Sequence, residues 1–218
     1  MAGRPSGARS RSTTDSYHHG DLRRTLLDTA VELARSGGPD AVVMRDVQRR
    51  AGVSNSAAYR HYADRDALLA AVIAYALRQL AARMQESVDA VPNRGPRNKR
   101  ALARFRATGQ AYLDFALAEP GLYRVAFARH PAGRVPVSDA EAVGAQDHPF
   151  QVLRSCVDDL VASGVISDRR RNGVDEAAWA AVHGLATLFL DGPLNTLGAA
   201  QKQQIADRLL DAITRGIG

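Results

Sequence analysis

The sequence predicts an all-α protein with a small N-terminal unit and a larger helical one behind it. Three observations carry this reading. Apolar residues recur at three- and four-residue spacing, as in Leu22, Leu26, Ala30 and Leu33, or Leu68, Val72, Ala76, Leu80 and Met84. No segment alternates with period two for long enough to form a half-buried strand. Glycine and proline interrupt the apolar pattern at Gly37-Gly38-Pro39, Pro92, Gly95-Pro96, Pro120-Gly121 and Gly192-Pro193.

Residues 1–16 are rich in Gly, Ser, Thr, Pro and Arg, with Arg4, Arg9 and Arg11 among them and almost nothing to bury. A disordered basic arm is expected, either entering a minor groove or remaining a solvated tail. From Gly20 to Gly37 an amphipathic helix is expected, with Leu27, Val31 and Ala34 beside its main stripe. A short helix follows in which Met44, Val47 and Ala51 bury one face while Arg45, Arg49 and Arg50 point outward. Gly52 suits a left-handed C-cap, Val53 fills the elbow and Ser54 caps the next helix. That helix exposes Asn55, Ser56, Tyr59, Arg60 and His61, and Ala57 and Ala58 are small enough for close approach to a major groove. Residues 43–62 thus read as a helix-turn-helix inside a 17–65 DNA-binding unit; the plain alternative is a helical hairpin with solvated polar residues. Asp64 caps a long helix reaching to about Val91.

Residues 66–218 form the expected second unit. Arg94, Arg97, Lys99 and Arg100 suggest a solvated loop before a helix carrying Ala101, Leu102, Phe105, Tyr112, Leu113 and Ala116. A short helix at Leu122–Ala128 precedes a long connection, Pro131 to Pro149, with little periodicity. Three more helices are expected at about Phe150–Ser163, Asp175–Leu190 and Ala199–Ile217.

Composition narrows the function classes. The 218 residues are 45% hydrophobic and carry a net charge of +6, so an anionic partner is favoured, nucleic acid or a membrane surface. Lys99 and Lys202 are the only lysines; the arginine excess suits phosphate and guanine contacts, and equally a GC-rich genome. The single cysteine, Cys156, lies among Val152, Leu153, Val157, Leu160 and Val161, which suits a packed thiol in a reducing compartment rather than a disulfide. No signal-peptide core and no run of roughly 18 apolar residues is present, so a soluble cytoplasmic protein is expected. Phosphate-cradling Gly loops, H-E-x-x-H, C-x-x-C and G-x-S-x-G are missing from the sequence, so neither catalytic residues, a metal nor a cofactor is expected. His18-His19 with Asp21 resembles a metal cluster only superficially.

Arg45-Asp46-Val47, Ala51-Gly52-Val53-Ser54, Tyr59-Arg60-His61-Tyr62 and Arg65-Asp66-Ala67-Leu68-Leu69, together with the helices around them, closely resemble the N-terminal domain of the TetR family of bacterial transcriptional regulators. Tyr17 to Arg23, and Trp179 with His183-Gly184, resemble the subgroup with a WHG-type C-terminal domain. Two positions depart from the pattern: Val43 replaces a capping Thr or Ser, and Gln48, which either reaches a phosphate or is exposed, replaces a small alanine. The resemblance implies a homodimeric, ligand-released repressor on a double-stranded palindromic operator, with DNA contacts from Arg45, Ser54, Asn55, Ser56, Ala57, Tyr59, Arg60, His61 and Arg65. It implies an effector pocket, for which Tyr75, Phe105, Tyr112, Phe115, Tyr123, Phe127, Trp179 and His183 are the aromatic candidates, each of which could equally be core. The last two helices are the expected dimer interface, through Trp179, Val182, Gly184, Leu185, Ile205, Leu209 and Ile213, unless these are intramolecular core. A non-specific architectural DNA-binding protein, or an α-helical enzyme or carrier, remains the alternative.

Overall fold

A 25-residue helix runs through the molecule, and several of the other helices pack directly against it. The computed structural model describes residues 15–128 and 148–217, with side chains from Leu22 onward. In chain order the helices are α1 (Asp15–Gly37), α2 (Met44–Ala51), α3 (Asn55–Tyr59), α4 (Arg65–Asp89), α5 (Arg97–Ala118), α6 (Pro120–Ala126), α7 (Pro149–Ala162), α8 (Val174–Leu190) and α9 (Ala199–Ile217). Strands do not occur among the described residues. The basic arm falls mostly on residues 1–14, outside the described residues, as does most of the expected 131–149 connection; the side chains of His18, His19 and Asp21 lie outside them too.

The predicted stripes are the buried ones. Leu26, Ala30 and Ala34 of α1, and Leu68, Val72, Ala76 and Leu80 of α4, are fully covered. Each buried Leu or Val contributes about 1.5–3 kcal/mol of transfer free energy. They belong to one continuous apolar cluster that also holds Leu113, Leu122, Val157, Leu160 and Phe189. The expected division at residue 65 therefore falls at the start of α4, which packs on α1 at one end and on α5, α6 and α7 along its length. Over an 18-residue window α4 has a mean hydropathy of 1.4, apolar enough to cross a membrane, contrary to the expectation that no stretch qualifies; half of that window is buried in the protein, as in a core helix.

Several boundaries differ from expectation for local reasons. Helix α1 begins at Asp15, upstream of Gly20, because a glycine inside a longer helix costs only about 1 kcal/mol. Arg97, Lys99 and Arg100 do not form a loop but open α5, where Pro96 is the N-cap. Pro120-Gly121 does not break the chain: Pro120 occupies the first turn of α6, where its missing N–H is not needed. Helix α7 is capped by His148, whose Nδ1 accepts from the Phe150 N–H at 3.2 Å.

Two glycines set helix spacing. A Cβ on Gly121 would lie 2.3 Å from the carbonyl oxygens of both Ala34 and Arg35, so α6 docks directly onto the C-terminal turn of α1. A Cβ on Gly109 would meet Leu210 Cδ2 at 2.5 Å, where α5 crosses α9. Cys156 is buried as expected, and burial pushes its thiol up to about 12, which leaves it unreactive.

Candidate functional site

The α2–α3 unit is built by local chemistry. Val43 offers α2 no side-chain cap, and the helix is instead anchored by Met44 and Val47 in the core. Gly52 ends it in the left-handed region at φ 67°, and its N–H returns to the Gln48 carbonyl. Ser54 caps α3 by accepting from the Ala57 N–H at 3.3 Å. Ala58 is buried beneath α3, while Asn55, Ser56, Tyr59 and Arg60 are exposed; Tyr59 leaves 45% of its surface to solvent. Arg45 is exposed on α2, and Ala57 and His61 are half-exposed.

Gln48 is neither exposed nor free to reach a phosphate. It is buried, and its Nε2 donates to Asn55 Oδ1 at 3.0 Å, which orients the Asn55 amide and leaves the two Nδ2–H donors outward. Arg65, at the start of α4, reaches back over the turn that precedes α2. Its Nε donates to the Val42 carbonyl and one Nη to the Pro39 carbonyl, both at 2.8 Å, and its other Nη lies 3.9 Å from Asp66. The fork of the guanidinium is thus matched to the turn that feeds α2. Tyr62 is buried beneath the guanidinium of Arg23, 5.5 Å from its ring centre.

In the C-terminal region, α4, α5, α7, α8 and α9 line a partly open cavity of about 30 Å³. Phe105 and Tyr112 from α5, Phe150 from α7, Trp179 from α8 and Ile213 from α9 are among its walls. Beside it, Tyr112, Tyr123, Phe127, Trp179 and His183 form a continuous aromatic cluster, with Phe127 edge-on to His183 at 4.8 Å and Trp179 at 5.3 Å from it. The hydroxyls of Tyr112 and Tyr123 lie 2.8 and 2.9 Å from the same His183 nitrogen, Nδ1. Burial lowers the His183 pKa, which favours neutral imidazole, and burial raises those of both tyrosines.

Helix α6 links these regions. It carries Tyr123 to His183, Arg124 to a forked ion pair with Asp191 at the end of α8, and Gly121 to the last turn of α1. Arg35 of α1 adds an ion pair to Glu119 at 3.3 Å.

Residues 26–72 match the family model described as bacterial regulatory proteins, tetR family, and residues 105–213 match that described as tetracyclin repressor-like, C-terminal domain. The second match alone spans half of the 218-residue chain. The chain belongs to the TetR family. A solved structure of a protein with unknown function from Rhodococcus sp. RHA1 is 30% identical, with a TM-score of 0.73 over 93% of this chain and 98% of that one. The TetR family transcriptional regulator PfmR from Thermus thermophilus shares the fold at 18% identity and a TM-score of 0.60, over 88% of this chain and 98% of that one. A TetR-family transcriptional regulator from Pectobacterium atrosepticum does so at 21% identity and a TM-score of 0.60, over 95% of this chain and 97% of that one. No curated protein matches the chain.

This TetR-family protein is therefore a DNA-binding transcriptional regulator and not an enzyme. Its narrower likeness to a WHG-type C-terminal domain rests on sequence positions alone. Of the aromatic positions singled out in the regulator's sequence, Phe105, Tyr112 and Trp179 line the cavity, and Tyr123, Phe127 and His183 adjoin it. Tyr75 and Phe115 do not line it; Phe115 faces a separate groove with Arg35 and Glu119. Among the expected interface residues, Val182 and Leu185 are intramolecular core, with 6% and 7% of their surface exposed. Trp179, Ile205, Leu209 and Ile213 are half-buried, and Gly184 is exposed. The open face of α8 runs instead through Ala177, Ala180, Gly184 and Leu188, the last 41% exposed. Leu188, four residues after Gly184, extends that exposed strip.

Proposed function

We propose that this TetR-family regulator is a repressor that binds a palindromic operator as a homodimer and is released by a small apolar effector. The observation that carries the reading is the physical continuity of α4. Arg65 at its start holds the turn before α2, and Met84 on the same helix lines the cavity, about 28 Å further along a straight helix. An effector that expands the small cavity displaces α4 and α6, and with them the spacing of two recognition helices in a dimer. Operator half-sites one turn or a multiple of about 34–36 Å apart are read only at one such spacing.

The DNA surface in this reading is Arg45, Ser54, Asn55, Ser56, Ala57, Tyr59, Arg60 and His61, with Arg65 holding that surface in place rather than touching DNA. Dimerisation uses the open α8 face with Ile205 and Leu209 of α9; the small residues allow close helix approach, and Leu188 supplies the apolar anchor. The site of action is the cytoplasm.

A shift assay at fixed salt, comparing the protein's own upstream DNA with random DNA, tests the reading. A specificity ratio of at least about 10³ supports a regulator of defined operators, whereas a ratio near one supports packaging. Asn55 provides a sharper check, because Gln48 leaves its amide protons free to donate to a base acceptor. Asn55→Ala is expected to weaken operator binding by about 1–3 kcal/mol and leave random DNA unaffected. Equal losses on the two DNAs would show that Asn55 is not a base reader.

Release by effector carries its own thermodynamic signature. A 100-fold loss of operator affinity corresponds to about 2.7 kcal/mol of coupling, and operator must weaken effector binding by the same factor. Calorimetry of the effector with and without operator should return that equality, and an affinity indifferent to DNA would end the allosteric assignment.

A further inference from the structure

We infer that Gln48, without touching DNA, makes Asn55 a reader of guanine rather than adenine. The inference rests on reading α3 as the helix that meets base edges, and it names the base that the first residue of that helix selects.

Asn55 is exposed at the start of α3, and residues at the N-terminal end of a recognition helix are the ones that reach bases in the major groove. Its carboxamide carries one acceptor oxygen, Oδ1, and two N–H donors on Nδ2. Adenine is read by using both atoms at once: Nδ2 donates to N7 while Oδ1 accepts from the N6 amino group. That requires Oδ1 to face the groove. Here Oδ1 faces the protein, where it accepts from Gln48 Nε2 at 3.0 Å. Gln48 is buried on α2, and its own carbonyl takes the N–H groups of Gly52 and Val53 as the turn closes, so residue 48 cannot follow Asn55 outward. Reading adenine would mean breaking the Gln48–Asn55 bond and leaving a buried amide without a partner, a penalty of about 5- to 150-fold in affinity.

Asn55 therefore offers the groove donors only. The two purines share the N7 acceptor and differ at position 6, where guanine has a carbonyl oxygen and adenine an amino group. On guanine the Nδ2 donors face two adjacent acceptors. On adenine they meet an acceptor beside a donor, and donor opposes donor. Gln48 is thus a positioning residue that decides a base it does not contact. Alanine, the small residue of the family pattern at this position, carries no amide and would leave Oδ1 free.

The full-length protein should be used to select sites from a library of randomised double-stranded DNA, beside three variants. Asn55→Ala should flatten one position in each half-site, which identifies the base pair that Asn55 reads. At that position the wild type should favour guanine over adenine by at least about fivefold. Gln48→Met keeps the buried bulk and gives Oδ1 no donor, so the guanine-to-adenine ratio should fall at least about fivefold. Gln48→Glu reverses the inner partner: a carboxylate accepts from Nδ2, holds Oδ1 outward, and adenine should then exceed guanine. A merely structural role for Gln48 would weaken all sequences together and leave the ratio unmoved. A wild type that prefers any other base there, or a guanine preference that survives either Gln48 substitution in a protein still folded by circular dichroism, overturns the role of Gln48 and leaves α3 as the base-reading helix. If Asn55→Ala changes no position, or the library yields no preferred sequence, the reading of α3 itself fails and the inference with it.

Discussion

Gly121→Ala is expected to cost about 1–3 kcal/mol of folding stability, with Gly121→Val costing more, measured by urea denaturation. The added methyl would lie 2.3 Å from the carbonyl oxygens of Ala34 and Arg35. Those are backbone atoms of α1 and cannot rotate aside, so α6 itself must retreat. Its retreat strains Tyr123 against His183 and Arg124 against Asp191, which ties the loss of stability to a change in the link between cavity and DNA-reading unit. Operator affinity should shift in the same protein, since α1 packs on α2. Gly216→Ala serves as the control: an added Cβ there meets nothing within 4 Å, so stability should stay within about 0.5 kcal/mol. A Gly121→Ala protein as stable as the wild type would show that the α6–α1 approach does not constrain the fold.

Arg65→Ala should lower both stability and DNA affinity while leaving the salt dependence of DNA binding unchanged. Two charge-assisted hydrogen bonds are lost, to Val42 and Pro39, each of the kind worth about 1.5–3 kcal/mol. The side chain is 41% exposed, so water partly replaces them and a total of about 2–3 kcal/mol is expected. The turn that positions α2 loosens, and operator and random DNA are weakened together. Arg65→Lys should not restore stability, because an ammonium cannot span two carbonyls in the fork geometry. Salt titration separates this from a direct contact: removing a phosphate-bound charge reduces the slope of log K against log salt by about one unit. A slope that falls by that amount in Arg65→Ala would place Arg65 on the DNA backbone after all.

The sequence by itself determined the helices and the design of the helix-turn-helix. Helical periodicity, the left-handed Gly52, the Ser54 cap and the Asp64 cap each depend on residues within about four positions of one another, and such distances are written along the chain. The missing cap at Val43 was legible for the same reason. Helix ends were less so where proline or glycine had two meanings: Pro120-Gly121 reads as a break, yet Pro120 opens α6 and Gly121 is required by α1, a partner more than eighty residues away.

Only the tertiary structure decided what each apolar or charged side chain faces. One helical stripe serves core, pocket and interface alike, so periodicity could not place Tyr75 and Phe115 away from the cavity, or Val182 and Leu185 inside the protomer. Gln48 and Arg65 look like surface groups in a linear reading, and the fold turns each toward a partner: an amide seven residues on for Gln48, and backbone carbonyls more than twenty residues back for Arg65. The convergence of Tyr112 and Tyr123 on His183 brings together residues 71 and 60 positions apart. Sequence spacing carries no information about such contacts, because they are set by how whole helices pack rather than by the turn of any one of them.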